Sequence, residues 1–236
     1  VFKVQANMNP RHRDRVAFVR IVSGRFRRDM TAHNPRTGRD LRLSNAQRLF
    51  ARERETVDDA WPGDVVGLVG NYDIQIGDTL SEDPAVVFQE IPRFPPECFA
   101  SVHCSSSAMQ KRFRAGLEQL LKEGVAQRFN PEGAVTAAPL LGAVGPLQFD
   151  VLRHRLLSEY GADCRLETAS WNMVRWLPAM TALENSLLML PTGVVRASDE
   201  DNRTVLLFDS AWALRYFTEK HAHITLAETA PQGPGG

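Results

Sequence analysis

The chain has 236 residues, of which 43% are hydrophobic and 24% are charged, and these values are ordinary for a globular protein. The length allows one large or two modest domains. No apolar run approaches the length of a bilayer-spanning helix, so the sequence excludes a helical membrane protein. The three cysteines, Cys98, Cys104 and Cys164, lack metal-ligand spacing and are expected to be thiols in the reducing cytoplasm.

The net charge is zero, but the charges are unevenly distributed along the chain. Residues 1–54 contain Lys3 and thirteen arginines against four acidic residues, a balance of +10. Residues 55–88 contain eight acidic residues and no Lys or Arg, a balance of −8. Two interpretations stay open. The basic segment binds an anionic partner, or the two segments neutralise each other across neighbouring strands.

Residues 1–90 are predicted to form short strands separated by turns, which indicates a closed or nearly closed β-barrel. The strand patterns are VFKVQA, RVAFVRIVSG, LRLSNAQRLF, VVGLVG and IQIGDTLSE, the last with a turn at Gly77-Asp78. HNPRTGRD predicts a hairpin tip, and Pro62-Gly63 predicts a turn before VVGLVG. In that strand we expect Val65, Val66 and Leu68 to be partly or wholly buried.

A domain boundary is predicted where Pro92, Pro95 and Pro96 lie within five residues, because proline breaks sheet pairing. Residues 91–236 then form an α+β domain. Its first part, about 97–170, has the order βαββαβ, which is typical of the ferredoxin-like (split βαβ) unit. Its helices are indicated by apolar residues at helical spacing, with an N-cap among Ser105, Ser106 and Ser107 for the first and Gly161 ending the second.

Residues 171–228 are predicted to be a further α+β part that repeats this topology. Thr181 and Glu184 form a capping box for a short helix, SDEDN marks an acidic hairpin tip, and HITLAE is the last strand. The tail 229–236 is predicted to be disordered.

No residue pattern in the chain predicts nucleotide chemistry. His12-Arg13-Asp14 has the first three letters of a kinase catalytic loop, but Val19 stands where that loop needs its metal-binding Asn. The phosphate-binding pattern GxxxxGK[ST] is absent from the sequence.

Other residues with chemical potential have plainer interpretations. His221 and His223 would share one face of a strand, but no third metal ligand is evident. Ser198–Asn202 lacks the glycine and the distant glutamate of a calcium loop. The indole rings of Trp171, Trp176 and Trp212 suit base stacking but are expected to lie in the core.

We therefore predict no catalytic, cofactor-binding or metal-binding residue. A hydrolase that uses His103 or His154 with Cys104 remains an alternative.

The basic cluster Arg11, His12, Arg13 and Arg15 is the candidate binding site. The three arginines would share one face of an extended segment at the start of a strand. Such a face could contact RNA phosphates, or it could be a charged edge that discourages aggregation, and the residues alone favour neither.

The opening stretch VFKVQANMNPRHRDRVAFVRIVSGRF resembles the start of the second domain of the bacterial peptide chain release factor 3 family. AWPGDVVGLVG and IQIGDTL resemble later strands of the same barrel, which elongation-factor GTPases share. FPPECFASVHC and GAVGPLQFDVLRHRLLSEYGAD resemble the family's third domain. The resemblance covers nearly the whole chain but is weak in the last sixty residues.

This resemblance implies a translation-termination GTPase lacking its N-terminal GTPase domain. GTP or GDP would bind to that missing domain, so no cofactor and no catalytic residue are expected here. The implied partners are the ribosome with its rRNA and proteins, the GTPase domain itself and, indirectly, the class-I release factor. The arginine cluster would then contact rRNA or the GTPase domain. A stand-alone RNA-binding barrel with an accessory domain is the alternative.

Overall fold

The structure is a computed structural model in which the chain divides into two compact units, Val1–Ile91 and Pro92–Gly236. The division falls inside the proline-containing segment that predicts a domain boundary. The residues that the structure describes are 1–6, 15–50, 53–70, 72–88, 91, 94–133, 138–180 and 188–231.

The first unit is built from antiparallel strands. Its strands are β1 Lys3–Ala6, β2 Arg15–Arg20, β3 Phe26–Arg27, β4 Thr31–Asn34, β5 Arg39–Arg42, β6 Ala46–Phe50, β7 Glu53–Thr56, β8 Asp59–Ala60 and β9 Val65–Gly70. Five of them form a sheet in the order β1-β2-β9-β6-β7, and the pairs β3-β8 and β4-β5 form two-stranded ribbons. The sheet and both ribbons enclose one apolar cluster, so the unit is barrel-like.

Strand β9 contributes two fully buried side chains to this core, although Val69 on its other side is also buried. Val66 and Leu68 are each 1% exposed because alternate side chains of a strand point to the same side. Val65 lies at the start of the strand, points the other way and is 42% exposed. The expectation that Val65 is at least partly buried is therefore wrong.

The segment 74–82 contains the predicted turn at Gly77-Asp78, but the strand predicted around that turn is not formed. Only Ser81 pairs, in a single bridge with His33. Gly77 has a φ of 94°, a backbone conformation that a strand does not use, and the amide of Asp78 bonds to the carbonyl of Gln75 in a turn. Ile74 is nevertheless buried in the core of the unit.

The second unit begins with a four-stranded antiparallel layer and two helices. Its elements are β10 Cys98–Cys104, α1 Gln110–Lys122, β11 Gln127–Pro131, β12 Leu140–Ala143, α2 Leu147–Tyr160 and β13 Cys164–Thr168. The strands lie in the order β13-β10-β12-β11, and both helices contribute to one apolar cluster with β10 and β12.

Helix α1 does not begin at Ser105, Ser106 or Ser107, the serines predicted to provide its N-cap. A 3₁₀ turn over Ser107–Met109 precedes the helix, and Met109 is its N-cap. Ser106, which caps that turn, makes no side-chain capping bond.

The remaining elements extend the same sheet. They are β14 Met173–Trp176, β15 Val194–Ser198, β16 Thr204–Phe208 and α3 Ala211–Lys220. The complete order is β13-β10-β12-β11-β15-β16-β14, and Ala227 bridges β14 on its outer side. The segment HITLAE is thus reduced from a predicted strand to one bridge, because turns follow α3 and Ile224 bonds back to the carbonyl of His221.

One face of this seven-stranded sheet carries an apolar cluster shared by both halves of the unit. It is formed by Phe99, Phe129, Leu140, Val174, Trp176, Ala197, Val205 and Leu207. Ala169, Trp171, Ala227 and Ala230 pack against it. Pro96 also lies close, since a Cβ atom built on Gly142 would come within 2.8 Å of both Pro96 and the Phe129 ring.

The C-terminal segment is ordered further than predicted. Ala230 packs on that apolar face, and the guanidinium of Arg203 donates to the carbonyl of Pro231 at 2.8 Å. The rest of the predicted tail, 232–236, and the predicted helix at 181–187 lie outside the described residues.

Helix α2 has apolar residues on two opposite sides. Phe149, Leu152 and Leu156 are buried in the core. Leu147, Val151 and Leu157 are exposed on the outer side, with Leu147 at 75%. We call these three residues the outer stripe of α2.

The contrast between Val66 and Val65 gives a stability test. Val66→Asp should lower the free energy of unfolding of the first unit by about 3 kcal/mol or more, because an unpaired carboxylate would enter the core. Val65→Asp, the matched control on the next residue, should change it by less than about 0.5 kcal/mol. Urea denaturation measures both, and equal effects would show that β9 does not alternate as described.

Candidate functional site

The structure leaves most of the predicted arginine cluster undescribed. Arg11, His12 and Arg13 lie outside the described residues. Arg15 is the first residue of β2, opposite Ala6 on β1 and Gly70 on β9. It is half-buried, and no acidic side chain in the described part of the chain pairs with it. The cluster therefore stays a prediction.

Other arginines of the basic segment do pair with the acidic segment. The pairs are Arg25–Asp59 at 2.9 Å, Arg28–Asp58 at 3.0 Å, Arg36–Asp78 at 2.6 Å and Arg48–Asp64 at 3.9 Å. For these four arginines, the charge asymmetry of the sequence is neutralised within the unit. The numbers of charged residues identify the basic and acidic segments in the sequence. Which arginine pairs with which aspartate depends on how the strands align.

Asp78 is the buried centre of this charge pattern. Its carboxylate, 3% exposed, accepts from Asn34 Nδ2 at 2.8 Å and from Arg36 Nε at 2.6 Å, and also from the backbone amide of Gln75 at 2.9 Å. The hydrogen bond to Asp78 is the main cause that raises the pKa of Arg36, and it outweighs the opposing effect of burial. The network fixes the 73–78 turn to the β4–β5 hairpin.

An exposed apolar tip surrounds the Pro62-Gly63 turn. Trp61 is 56% exposed, and the guanidinium of Arg25 lies 5.0 Å from the centre of its ring. Val22 and Val65 are exposed beside it, where the amide of Gly63 donates to the carbonyl of Ile21. The sequence predictions did not single out Trp61, although it adjoins a turn and turns usually lie at the surface.

The tryptophans of the second unit divide between core and surface. Trp176 is buried and donates its Nε1–H to Asp199 at 2.9 Å, and Trp171 is half-buried against the same core. The core prediction is wrong for Trp212, which is 60% exposed and stacks on Tyr216 at 5.2 Å on the outer side of α3.

The acidic hairpin tip is organised by one carboxylate. Asp199 is buried, pairs with Arg203 at 2.7 Å and accepts from the amides of Asp201 and Arg203. Its oxygens are therefore used in holding the β15–β16 turn and Trp176, which agrees with a structural hairpin and not with a calcium loop.

The hydrolase alternative finds no support in the geometry. His103 and Cys104 are consecutive on β10 and so point to opposite faces, with His103 Nε2 3.3 Å from Glu167. The Cys104 thiol lies 3.1 Å from the carbonyl of Ser106, and His154 is exposed on α2.

The histidines 221 and 223 lie in the turns after α3, not on a strand. Their ring centres are 6.1 Å apart, and the ring of His221 packs on Phe217 at 4.6 Å. Within the described residues no three His, Cys, Asp or Glu side chains are grouped to hold a metal, and no helix there could cross a membrane.

Two family models match the chain in tandem. Residues 1–83 match the model of elongation factor G domain 2, and residues 88–218 match the model of the C-terminal domain of class II release factor RF3. These matches, together with the barrel-like first unit, define a translation-factor chain. The chain belongs to the release factor 3 family, as its opening and GAVGPLQFDVL stretches indicate.

Curated relatives agree with this family. Peptide chain release factor 3 of Gloeobacter violaceus is 41% identical over 231 residues, which are 98% of this chain and 44% of the relative. The same factor of Gloeothece citriformis is 41% identical over 236 residues, 100% of this chain and 43% of the relative. The chain thus spans less than half the length of these relatives.

A solved structure supports the fold. The crystal structure of a protein from Thermus thermophilus has a TM-score of 0.59 and 19% identity, and the match covers 84% of this chain and 29% of that protein.

The Asp78 network gives a second stability test. Asp78→Ala should destabilise the first unit by about 2–4 kcal/mol, because it leaves the buried amide of Asn34 without its acceptor and the guanidinium of Arg36 with contacts to Asp73 alone. Asp59→Ala removes an exposed partner of Arg25 and should cost no more than about 1 kcal/mol. Thermal and urea denaturation compare the two, and a larger loss for Asp59→Ala would contradict the network's role.

Proposed function

We propose that this chain forms the ribosome-engaging domains of a translation-termination GTPase and performs no chemistry of its own. The observation that carries the proposal is the tandem match of an elongation-factor second domain and a release factor 3 C-terminal domain in one chain. The whole factor would act in the cytoplasm, where its GTPase domain binds GTP or GDP. It would promote the dissociation and recycling of class-I release factors.

We infer that the second unit contains a ferredoxin-like module and a second copy of the same topology. The order β13-β10-β12-β11 is the order 4-1-3-2 of a split βαβ unit, with α1 and α2 as its crossover helices. In the second half, the Ala227 bridge, β14, β16 and β15 lie in the same order, 4-1-3-2.

The role of these units would be mechanical. A nucleotide-dependent change in the GTPase domain would reach the ribosome through the barrel-like unit and the duplicated α+β unit. Such a relay requires two arrangements of the domains and a ligand that favours one of them. Partners of this chain would therefore be the GTPase domain, rRNA and ribosomal proteins, with the class-I factor affected indirectly.

The arginine cluster is our proposed contact with rRNA phosphate or with the GTPase domain. The basic balance of residues 1–54 supports it, and so does Arg15, which no described acidic side chain neutralises. Five other arginines of this segment already have acidic partners among the described residues, so they are less available to an external phosphate.

The chain itself should bind neither GTP nor GDP. The reason is the absence of a phosphate-binding loop from its sequence. Isothermal titration with each nucleotide should give no binding heat. Micromolar binding of either would contradict the assignment of nucleotide chemistry to another domain.

Replacing Arg11, Arg13 and Arg15 together with Gln should weaken ribosome binding by the full-length factor. Each lost phosphate contact should reduce the slope of log affinity against log salt by roughly one. Folding stability should fall only modestly, and the fall should come from Arg15, which is half-buried with its Nε and Nη2 atoms shielded from solvent. Ribosome binding is measured by co-sedimentation over a salt series.

The control is the triple replacement of Arg25, Arg28 and Arg42 with Gln, which removes the same charge from residues already paired with Asp59, Asp58 and Asp29. It should leave the salt slope nearly unchanged. If the test variant loses stability while its salt slope equals that of the parent, the cluster is structural and the proposal is wrong.

A further inference from the structure

Two of the three cysteines face each other across neighbouring strands of the second unit. Cys104, the last residue of β10, is the direct partner of Cys164, the first residue of β13. Direct partners in a sheet project from the same face, and both cysteines belong to or contact the apolar cluster under α1 and α2.

The neighbouring backbone hydrogen bonds show whether Cys104 and Cys164 form a hydrogen-bonded or a non-hydrogen-bonded pair of the ladder. The amide of Ser105 donates to the carbonyl of Asp163 at 3.1 Å, and at the other end the amide of Ala169 donates to Phe99 at 2.9 Å. Bonded and non-bonded pairs alternate along an antiparallel ladder, so Cys104 and Cys164 occupy a non-hydrogen-bonded position.

Non-hydrogen-bonded partners have Cα atoms about 4.5 Å apart, and a disulfide needs Cα atoms about 4.4–6.8 Å apart. The register of the strands therefore places the two cysteine backbones at a separation that a disulfide can bridge. This typical spacing lies within the disulfide range, so the strands need no large movement for the bond to form.

The two thiols differ in access. Cys104 is half-exposed, and its thiol lies 3.1 Å from the carbonyl of Ser106 at the end of the strand. Cys164 is buried, and burial, followed by the negative charge of Asp163, raises the pKa of its thiol to about 11. An oxidant thus reaches Cys104, while Cys164 stays protonated beside it.

We propose that Cys104 and Cys164 are a reversible oxidation site that forms an intramolecular disulfide when the protein meets a hydroperoxide. In the first step the Cys104 thiol is oxidised to a sulfenic acid, and the hydroperoxide is reduced to the alcohol, or to water for hydrogen peroxide. In the second step Cys164 loses its proton and its sulfur attacks the sulfenic sulfur, so that the S–S bond forms and the proton leaves with the sulfenic hydroxyl group as water. The raised pKa of Cys164 makes this step slow at neutral pH. A small thiol such as glutathione reverses the reaction by exchange.

Cys98 supplies an internal control. It lies on the same strand, is similarly half-exposed and faces Ala143 on β12. Six residues along a strand separate it from Cys104 by roughly 20 Å, so it cannot reach either sulfur in the folded unit.

The test treats the reduced full chain with hydrogen peroxide, alkylates the remaining thiols in denaturant and maps the digest by mass spectrometry. We expect one alkylated cysteine, Cys98, and a linked peptide pair containing Cys104 and Cys164 that lacks two hydrogens. This link should exceed any disulfide of Cys98 by at least about tenfold, because folding sets the local concentration of the thiols. Reduced glutathione should restore three alkylated cysteines.

Variants and a denatured sample show whether the fold, and not random pairing of thiols, selects the Cys104–Cys164 disulfide. Cys98→Ala should form the disulfide as the parent does, and Cys104→Ser should leave both of its cysteines alkylated. Oxidation in urea should remove the preference for one pairing. The proposal fails if the folded chain keeps all three thiols, if Cys104 proceeds to a sulfinic acid without linking, or if disulfides of Cys98 dominate.

Discussion

The second unit depends on the pairing of two strand edges, β11 and β15. Asn130 and Pro131 lie opposite Ser198 and Ala197, and the amide of Glu132 donates to the carbonyl of Arg196 at 2.8 Å. This short ladder joins a four-stranded layer and a three-stranded layer into one seven-stranded sheet. Each half thereby covers an edge that would otherwise expose unpaired backbone groups.

The joined sheet also decides where the core can lie. The apolar cluster that contains Phe129, Ala197 and Val205 runs across the junction, so neither half buries that face alone. The face is closed by pieces from both ends of the unit, Pro96 before β10 and Ala227 to Ala230 after α3. Removing one half would therefore uncover the core of the other.

Buried carboxylates hold the irregular segments in both units. Asp78 fixes a turn to the β4–β5 hairpin, and Asp199 fixes the β15–β16 turn to Trp176. Each carboxylate accepts from an arginine and from backbone amides, which offsets the cost of its burial. One aspartate of the acidic segment and one of the acidic hairpin tip thus organise the fold.

Features set by local pattern could be predicted from the sequence, whereas those set by register could not. The stripe Phe113, Leu117 and Leu120 predicts α1, and Gly161 ends α2 in the left-handed conformation, because both follow from neighbouring residues. Composition also suggested that arginines of the first segment meet acids of the second. Which ones meet, and that Cys104 faces Cys164, follows only from strand pairing.

Local pattern also misled where tertiary contacts prevailed. IQIGDTLSE alternates like a strand, yet Gly77 and the Asp78 carboxylate turn it into a loop. A tryptophan in an α+β domain is usually part of the core, yet the side chain of Trp212 is exposed to solvent on α3. The arginine cluster could be named from sequence, but its geometry depends on residues beyond the described part of the chain.

Helix α2 contains apolar residues that its packing requires and, in the outer stripe, apolar residues that its packing does not require. Phe149, Leu152 and Leu156 specify how the helix packs on the sheet, and they would do so equally well if Leu147, Val151 and Leu157 were polar. An exposed apolar side chain adds nothing to the burial that drives folding and lowers solubility. Half of the apolar content of this helix is thus not accounted for by the folding of its own unit, and a redesign guided by stability alone would erase it.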